Sequence, residues 1–143
     1  MAYHKTSLNR PKEISAIIRV KNEEEYLYPA VKSIINHVEE VVIIDNLSTD
    51  RTPEIIESLR KEYPDKVVCY KYPYEVRKLS IENPELTSRA SSQAPLHLLA
   101  TYTNWCLEKC TKPYILRWDG DMLATDAFYL SLRGFKHSKK KIM

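Results

Sequence analysis

At 143 residues, with 43% hydrophobic and 29% charged side chains, the chain has the size and balance of one ordinary globular domain that can bury a core unaided. A net charge of +3 is too small to argue for nucleic acid, and with Gly120 and Gly134 as the two glycines neither a P-loop nor a G-x-G-x-x-G fingerprint can be written. No apolar run approaches the ~20 residues that span a bilayer and no signal-peptide core opens the sequence, so a cytoplasmic location is expected.

Ile14 to Val20 is a β-branched run of the kind covered on both faces of a parallel sheet. It ends at Lys21-Asn22, and Asn22 with Glu25 predicts a capping box for a helix whose apolar stripe is Leu27, Ala30, Val31, Ile34 and Ile35. Val41 to Ile44 is a second buried strand, stopping at Asp45. The stretch Asn46-Leu47-Ser48-Thr49-Asp50 is turn chemistry, and Thr52-Pro53-Glu54 opens a helix that Pro64 closes. Val67 to Tyr70 is a third strand. Tyr72 to Pro95 carries three prolines and no period, so it reads as a long loop. Helical spacing returns from Leu96 to Lys109, with Leu99, Tyr102, Cys106 and Cys110 as inward positions. Tyr114 to Trp118 is a fourth strand, and a last helix from Asp126 to Arg133 would be capped by Asp126. Cys69, Cys106 and Cys110 form no even framework and no C-x-x-C pair, so they read as buried thiols of a reducing compartment.

The order β-α-β-α-β predicts an α/β fold with a parallel sheet and right-handed crossovers. Residues 1–135 form its one domain, and 136–143, rich in lysine from Lys136 to Lys141, form a solvated basic tail. Open α/β sheets bind ligands at the carboxyl ends of their strands. Three polar clusters fall there: Arg19 to Asn22, Asp45-Asn46 and Asp119-Gly120-Asp121. Carboxylates crowded at one sheet edge raise the free energy of the fold unless a cation or donor neutralises them. Two carboxylates flanking a small residue suit Mg²⁺ or Mn²⁺, which take hard oxygen ligands and leave positions for phosphate. That reading makes Asp119 and Asp121 the metal ligands, the alternative being a turn with a helix-capping acid.

These blocks together resemble family 2 glycosyltransferases of the GT-A fold. Ile14 to Glu24 is similar to their opening strand and N-E-E turn, Val41 to Thr52 to their V-D-D-G-S-T-D-x-T segment, and Asn104 with Tyr114 to Asp121 to their A-R-N…Y-I-L-x-L-D-x-D stretch. The resemblance implies a Rossmann-like GT-A sheet, mostly parallel with helices on both faces, ending before an acceptor half. It implies a UDP- or GDP-linked sugar donor held by Arg19, Val20, Asn22, Glu23, Asp45, Asn46, Asn104, Asp119 and Gly120. Asp45 would accept from the nucleobase, Arg19 and Asn22 would line the base and ribose pocket, Asp119 would face the ribose or sugar, and Asp121 would be the main metal ligand. Transfer to an acceptor hydroxyl with inversion follows, the acceptor being a glycan, lipid or protein that the sequence does not name. Nucleic acid is not an expected partner.

Three departures matter. Asn46 stands for the second acid of D-D, Leu47 for its glycine, and Thr103 for the arginine of A-R-N, which removes one diphosphate contact; Arg77, Lys78 and Arg89 in the long loop are cations that could replace it. No general base is legible, since Asp126 is the one acid after Asp121. A binding module without turnover is therefore the rival reading, alongside an enzyme completed by a second copy or a partner chain. Tyr70, Tyr72 and Tyr74 read as amphipathic packing more than as a stacking platform, Trp118 as core or site wall, and His37 and His97 as packing or surface residues.

Overall fold

The computed structural model describes residues 10–77 and 94–138. Within them a four-stranded sheet has the order β3-β2-β1-β4, every pairing parallel: β1 Ile14–Val20, β2 Glu40–Asp45, β3 Val67–Lys71 and β4 Tyr114–Asp119. Four helices connect or flank the strands: α1 Leu27–Ile34, α2 Thr52–Glu62, α3 Leu99–Glu108 and α4 Asp126–His137. This is the parallel α/β class expected from the strand and helix order, and the Rossmann-like sheet that the resemblance implies.

Strands β1 and β2 read as continuous apolar runs because both of their faces are covered. Ile14, Ala16, Ile18 and Val20 of β1 join Val41 and Ile43 of β2, and against them pack Leu27, Val31 and Ile34 of α1, Ile56 and Leu59 of α2, and Leu132 of α4. The opposite face, with Ile17, Val42 and Ile44, is covered by Tyr72 and by Tyr102 and Cys106 of α3. Each buried Ile or Leu contributes roughly 1.5–3 kcal/mol of transfer free energy, so this double layer outweighs any single surface contact.

The two ends of the sheet are tied by different chemistry. At the amino end Glu40 accepts from the Ser15 hydroxyl at 2.5 Å and from the Thr111 N–H and hydroxyl at 3.0 and 2.9 Å, joining β1, β2 and the entry to β4. Lys12 donates to the carbonyls of Phe135 and Ser138 at 3.1 and 2.5 Å, a cation at the carboxyl end of α4 where the helix dipole favours one. Tyr129 of α4 donates to the Ser33 carbonyl at 2.6 Å and its ring stacks on His37, a packing role for that histidine.

Several local expectations change. Asn22 does not cap α1; it sits at φ 57° in the left-handed region, α1 begins at Leu27, and no side chain caps it. Asparagine suits both an N-cap and a left-handed turn, and the turn wins here. Thr125, not Asp126, caps α4, its hydroxyl accepting from the Phe128 N–H at 3.2 Å. Leu99 is 56% exposed because α3 starts there, after an extended Leu98 and a 3₁₀ turn at Ala94–His97, which shifts the inward stripe to Tyr102 and Cys106. Trp118 is core, 4% exposed against Phe128 with its indole N–H on the Met122 carbonyl. Helix α4 continues through Lys136, whose ammonium bonds Glu39 and the His37 carbonyl, so this lysine is folded structure; residues 139–143 lie outside the described residues. Among the described residues no helix is long and apolar enough to cross a membrane.

Candidate functional site at the carboxyl rim

The chain winds outward from β1 through β2 to β3, then returns to place β4 on the other side of β1. Open α/β sheets bind ligands where strand order reverses, here between the carboxyl ends of β1 and β4. The register fixes what meets there. Arg19 lies opposite Asp119 across the β1–β4 pair, and Val20 lies opposite Asp45 across the β1–β2 pair. The acids of β2 and β4 thus flank the end of β1 on one rim, with neighbouring strands about 4.8 Å apart.

The turn after β1 adds a further carboxylate. Glu23 has its pKa raised by its partial burial and then by the charges of Asp121, Asp50 and Asp119, so three carboxylates act on a fourth. Gly120 permits this crowding. A Cβ there would stand 2.9 Å from Val20 Cγ1 and 3.4 Å from Glu23 Cγ, so the β4 turn presses directly on the β1 turn. Asp119 and Asp121 are exposed. Among the described residues no three His, Cys, Asp or Glu side chains assemble into a protein-only metal cage. A magnesium-like ion does not require one, since one or two carboxylates with phosphate and water complete its octahedron. The hard-oxygen donors present fit such an ion.

Two loops are clasped together above the rim. The Asn22 carboxamide oxygen accepts from Thr49 N–H at 2.7 Å and Asp50 N–H at 3.3 Å, while Asn22 N–H donates to the Ser48 hydroxyl at 2.9 Å. The Glu23 N–H donates to buried Thr52 at 2.8 Å. Asp45, 5% exposed, accepts from both the hydroxyl and the N–H of Ser48 on Oδ1. Oδ2 makes no hydrogen bond among the described residues. Asp45 also lines a cavity of about 320 Å³ with Pro53, Ile56, Cys69 and Lys71. Asn46 is turned inward, its amide donating to the carbonyls of Tyr72 and Tyr74 at 3.2 and 2.7 Å to hold the chain leaving β3.

Across the other face, the Arg19 guanidinium donates to Thr103 Oγ1 at 2.9 Å and lies 5.5 Å from the Tyr102 ring centre. Asn104 is exposed on α3 beside that threonine. Tyr72 is packed between Tyr102 and Trp105, whereas Tyr74 keeps 36% of its surface. Arg77 forms an ion pair with Glu75 at 3.3 Å, and Lys78 and Arg89 lie outside the described residues. Burial raises the thiols of Cys69, Cys106 and Cys110 to about 11, so they stay protonated near neutrality and behave as packing groups. Sequence reasoning missed the parts played by Asp50 and Thr103. Both owe them to partners remote in sequence, and only the S-T-D turn gave any signal.

Residues 15–77 match the model of Glycosyl transferase family 2, a span that runs from β1 to the end of the described segment after β3. Over that span the chain is similar to the N-terminal part of family 2 glycosyltransferases. It is similar to two curated relatives, an uncharacterized glycosyltransferase of Rickettsia bellii (strain RML369-C), 46% identical over 48 residues, and another of Rickettsia typhi (strain ATCC VR-144 / Wilmington), 44% identical over 48. The match takes in 34% of this chain and 16% of each relative, so it spans about one-sixth of their length. A solved structure of glucosyl-3-phosphoglycerate synthase from Mycobacterium tuberculosis in complex with uridine diphosphate is also similar, at a TM-score of 0.46 and 16% identity, covering 86% of this chain and 40% of that one. The family 2 segment holds Arg19, Asn22, Glu23, Asp45 and Asn46; Asn104 and the Asp119-Gly120-Asp121 triplet lie beyond it.

Proposed function

We propose that the chain binds a nucleotide-diphospho-sugar at the carboxyl rim with Mg²⁺ or Mn²⁺ and serves as the donor-binding part of a glycosyltransferase. The observation that supports this reading is that Asp45 and Asp119 end the two strands flanking β1, with Glu23 and Asp121 in the adjoining turns, at the point where strand order reverses. Asp45 offers Oδ2 to a nucleobase N–H while Ser48 fixes its other oxygen. Val20, Asn22, Asn46 and Asn104 shape the nucleoside side, with Asn46 acting through the loop it holds and Val20 through its backbone, and Arg19 faces the donor from the α3 side. Asp119 and Asp121 hold the metal, and Gly120 lets the diphosphate approach the backbone. When bound, such an ion offsets charge developing on the departing diphosphate. The acceptor hydroxyl displaces the nucleoside diphosphate from the anomeric carbon with inversion, which requires a base from outside the described residues, on a further segment, a second copy or a partner chain.

Calorimetry of the chain with UDP- and GDP-linked sugars, with and without Mn²⁺, tests this reading. Metal-dependent binding of at least one donor is expected, and no binding across the panel overturns it. Asp126 lies in the first turn of α4, where a negative charge suits the helix dipole, so a purely structural role accounts for it and favours the rival reading of a module without turnover. A donor-hydrolysis and transfer assay separates the two: binding without turnover over long incubation identifies the module.

A further inference from the structure

We infer that Arg19 is the cation that takes the donor's diphosphate, and that Thr103 is the residue that aims it. This deepens the donor-binding reading and rests on it. A guanidinium at the end of a strand beside an acid would ordinarily pair with that acid. Arg19 lies opposite Asp119 in the β1–β4 register, on the same sheet face, yet no carboxylate comes within 4.0 Å of it among the described residues. Its Nη1–H goes instead to Thr103 Oγ1 at 2.9 Å, and the cation rests 5.5 Å from the centre of the Tyr102 ring. One hydroxyl and one aromatic ring orient the group without neutralising it. Among the described residues the rest of its fork of donors makes no hydrogen bond, and it suits a planar or tetrahedral oxyanion, the bidentate chemistry of arginine.

The neighbourhood explains why the charge is placed there. Glu23, Asp50, Asp119 and Asp121 make the rim strongly negative, and a nucleoside diphosphate approaching it brings more negative charge. A divalent ion offsets part of that repulsion from the β4 side. Arg19 supplies positive charge from the α3 side, across the crevice. Arg77, the described loop cation that could do the same, is already paired with Glu75.

The test compares each nucleoside diphosphate with its nucleoside, UDP against uridine and GDP against guanosine, by calorimetry on the full chain. Arg19→Gln keeps an amide donor for Thr103 and so preserves the local fold, which the melting temperature checks. It is expected to weaken diphosphate binding about tenfold or more while leaving the nucleoside within about twofold. Adding Thr103→Arg to Arg19→Gln returns a guanidinium to the same place and is expected to recover most of the loss. Equal losses for diphosphate and nucleoside would put Arg19 in the base and ribose pocket and overturn the inference, as would an unchanged diphosphate affinity or a double variant that recovers nothing. Failure of the unmodified chain to bind any nucleotide overturns the donor-binding reading itself, a result distinct from binding that ignores Arg19.

Discussion

A carboxyl surrounded by three others keeps its proton longer than a free one. For Glu23 partial burial acts first, then the charges of Asp121, Asp50 and Asp119, and the pKa rises from 4.5. The ligand-free fold therefore favours the protonated acid, and this contribution is complete below the ordinary value and lost as pH rises through the raised one. Asp121→Asn removes the charge that acts most strongly on Glu23 of the three. Its ligand-free melting temperature near neutral pH is expected to equal or exceed that of the parent, with the difference fading in acid, while Mn²⁺-dependent donor binding disappears from calorimetry. Leu47 shows a separate local cost. It holds φ 59°, a left-handed conformation that an L-residue with a Cβ adopts at about 1–2 kcal/mol. Leu47→Gly relieves that strain and gives back part of it as chain entropy, so a net gain of about 0.5–1 kcal/mol is expected in urea denaturation.

Elements ending in β-branched runs were legible because burial on both faces leaves little room for polar residues, and each strand stops where its turn residues begin. The helix ends were less legible. Asn22 and Thr125 both belong to residue types that cap helices, but only the second does so, since the first is drawn into bonds with residues 48–50 that no local window contains. Glu40, which precedes the strand read from Val41, is a cross-link that no local pattern announces. Burial by itself pushes its carboxyl up, yet the Ser15 hydroxyl and the Thr111 N–H and hydroxyl together bring it below its ordinary value. Its stabilising share is therefore present above about pH 4.5 and lost as pH falls through the lowered value. Glu40→Ala leaves those donors without their acceptor, at a cost of about 1–3 kcal/mol, and the stability of the variant should vary less across the acid range. Gly120→Ala acts at the other end of the sheet. Its new methyl meets Val20 Cγ1 at 2.9 Å, so a loss of about 1–3 kcal/mol in denaturation is expected, with weaker metal-dependent binding as the β4 turn shifts.

At the scale of the molecule, the strand order turns scattered polar residues into one rim. The acids that end β2 and β4 could be found in sequence because strand ends in parallel sheets face the same way. The contributions of Asp50 and Thr103 could not, because they depend on how far a loop folds back and on which side α3 crosses. The Asn22 clasp has one more consequence. A single carboxamide oxygen holds the turn above Asp45 to the turn that carries Glu23, so whatever steadies one steadies the other. A nucleoside settling against β2 and an ion settling against β4 then share one ordering cost, and each should tighten the other by the same factor. Asn22→Ala unties the two turns; the nucleoside and the ion should then bind as strangers, each with the same affinity whether or not the calorimeter cell already holds the other.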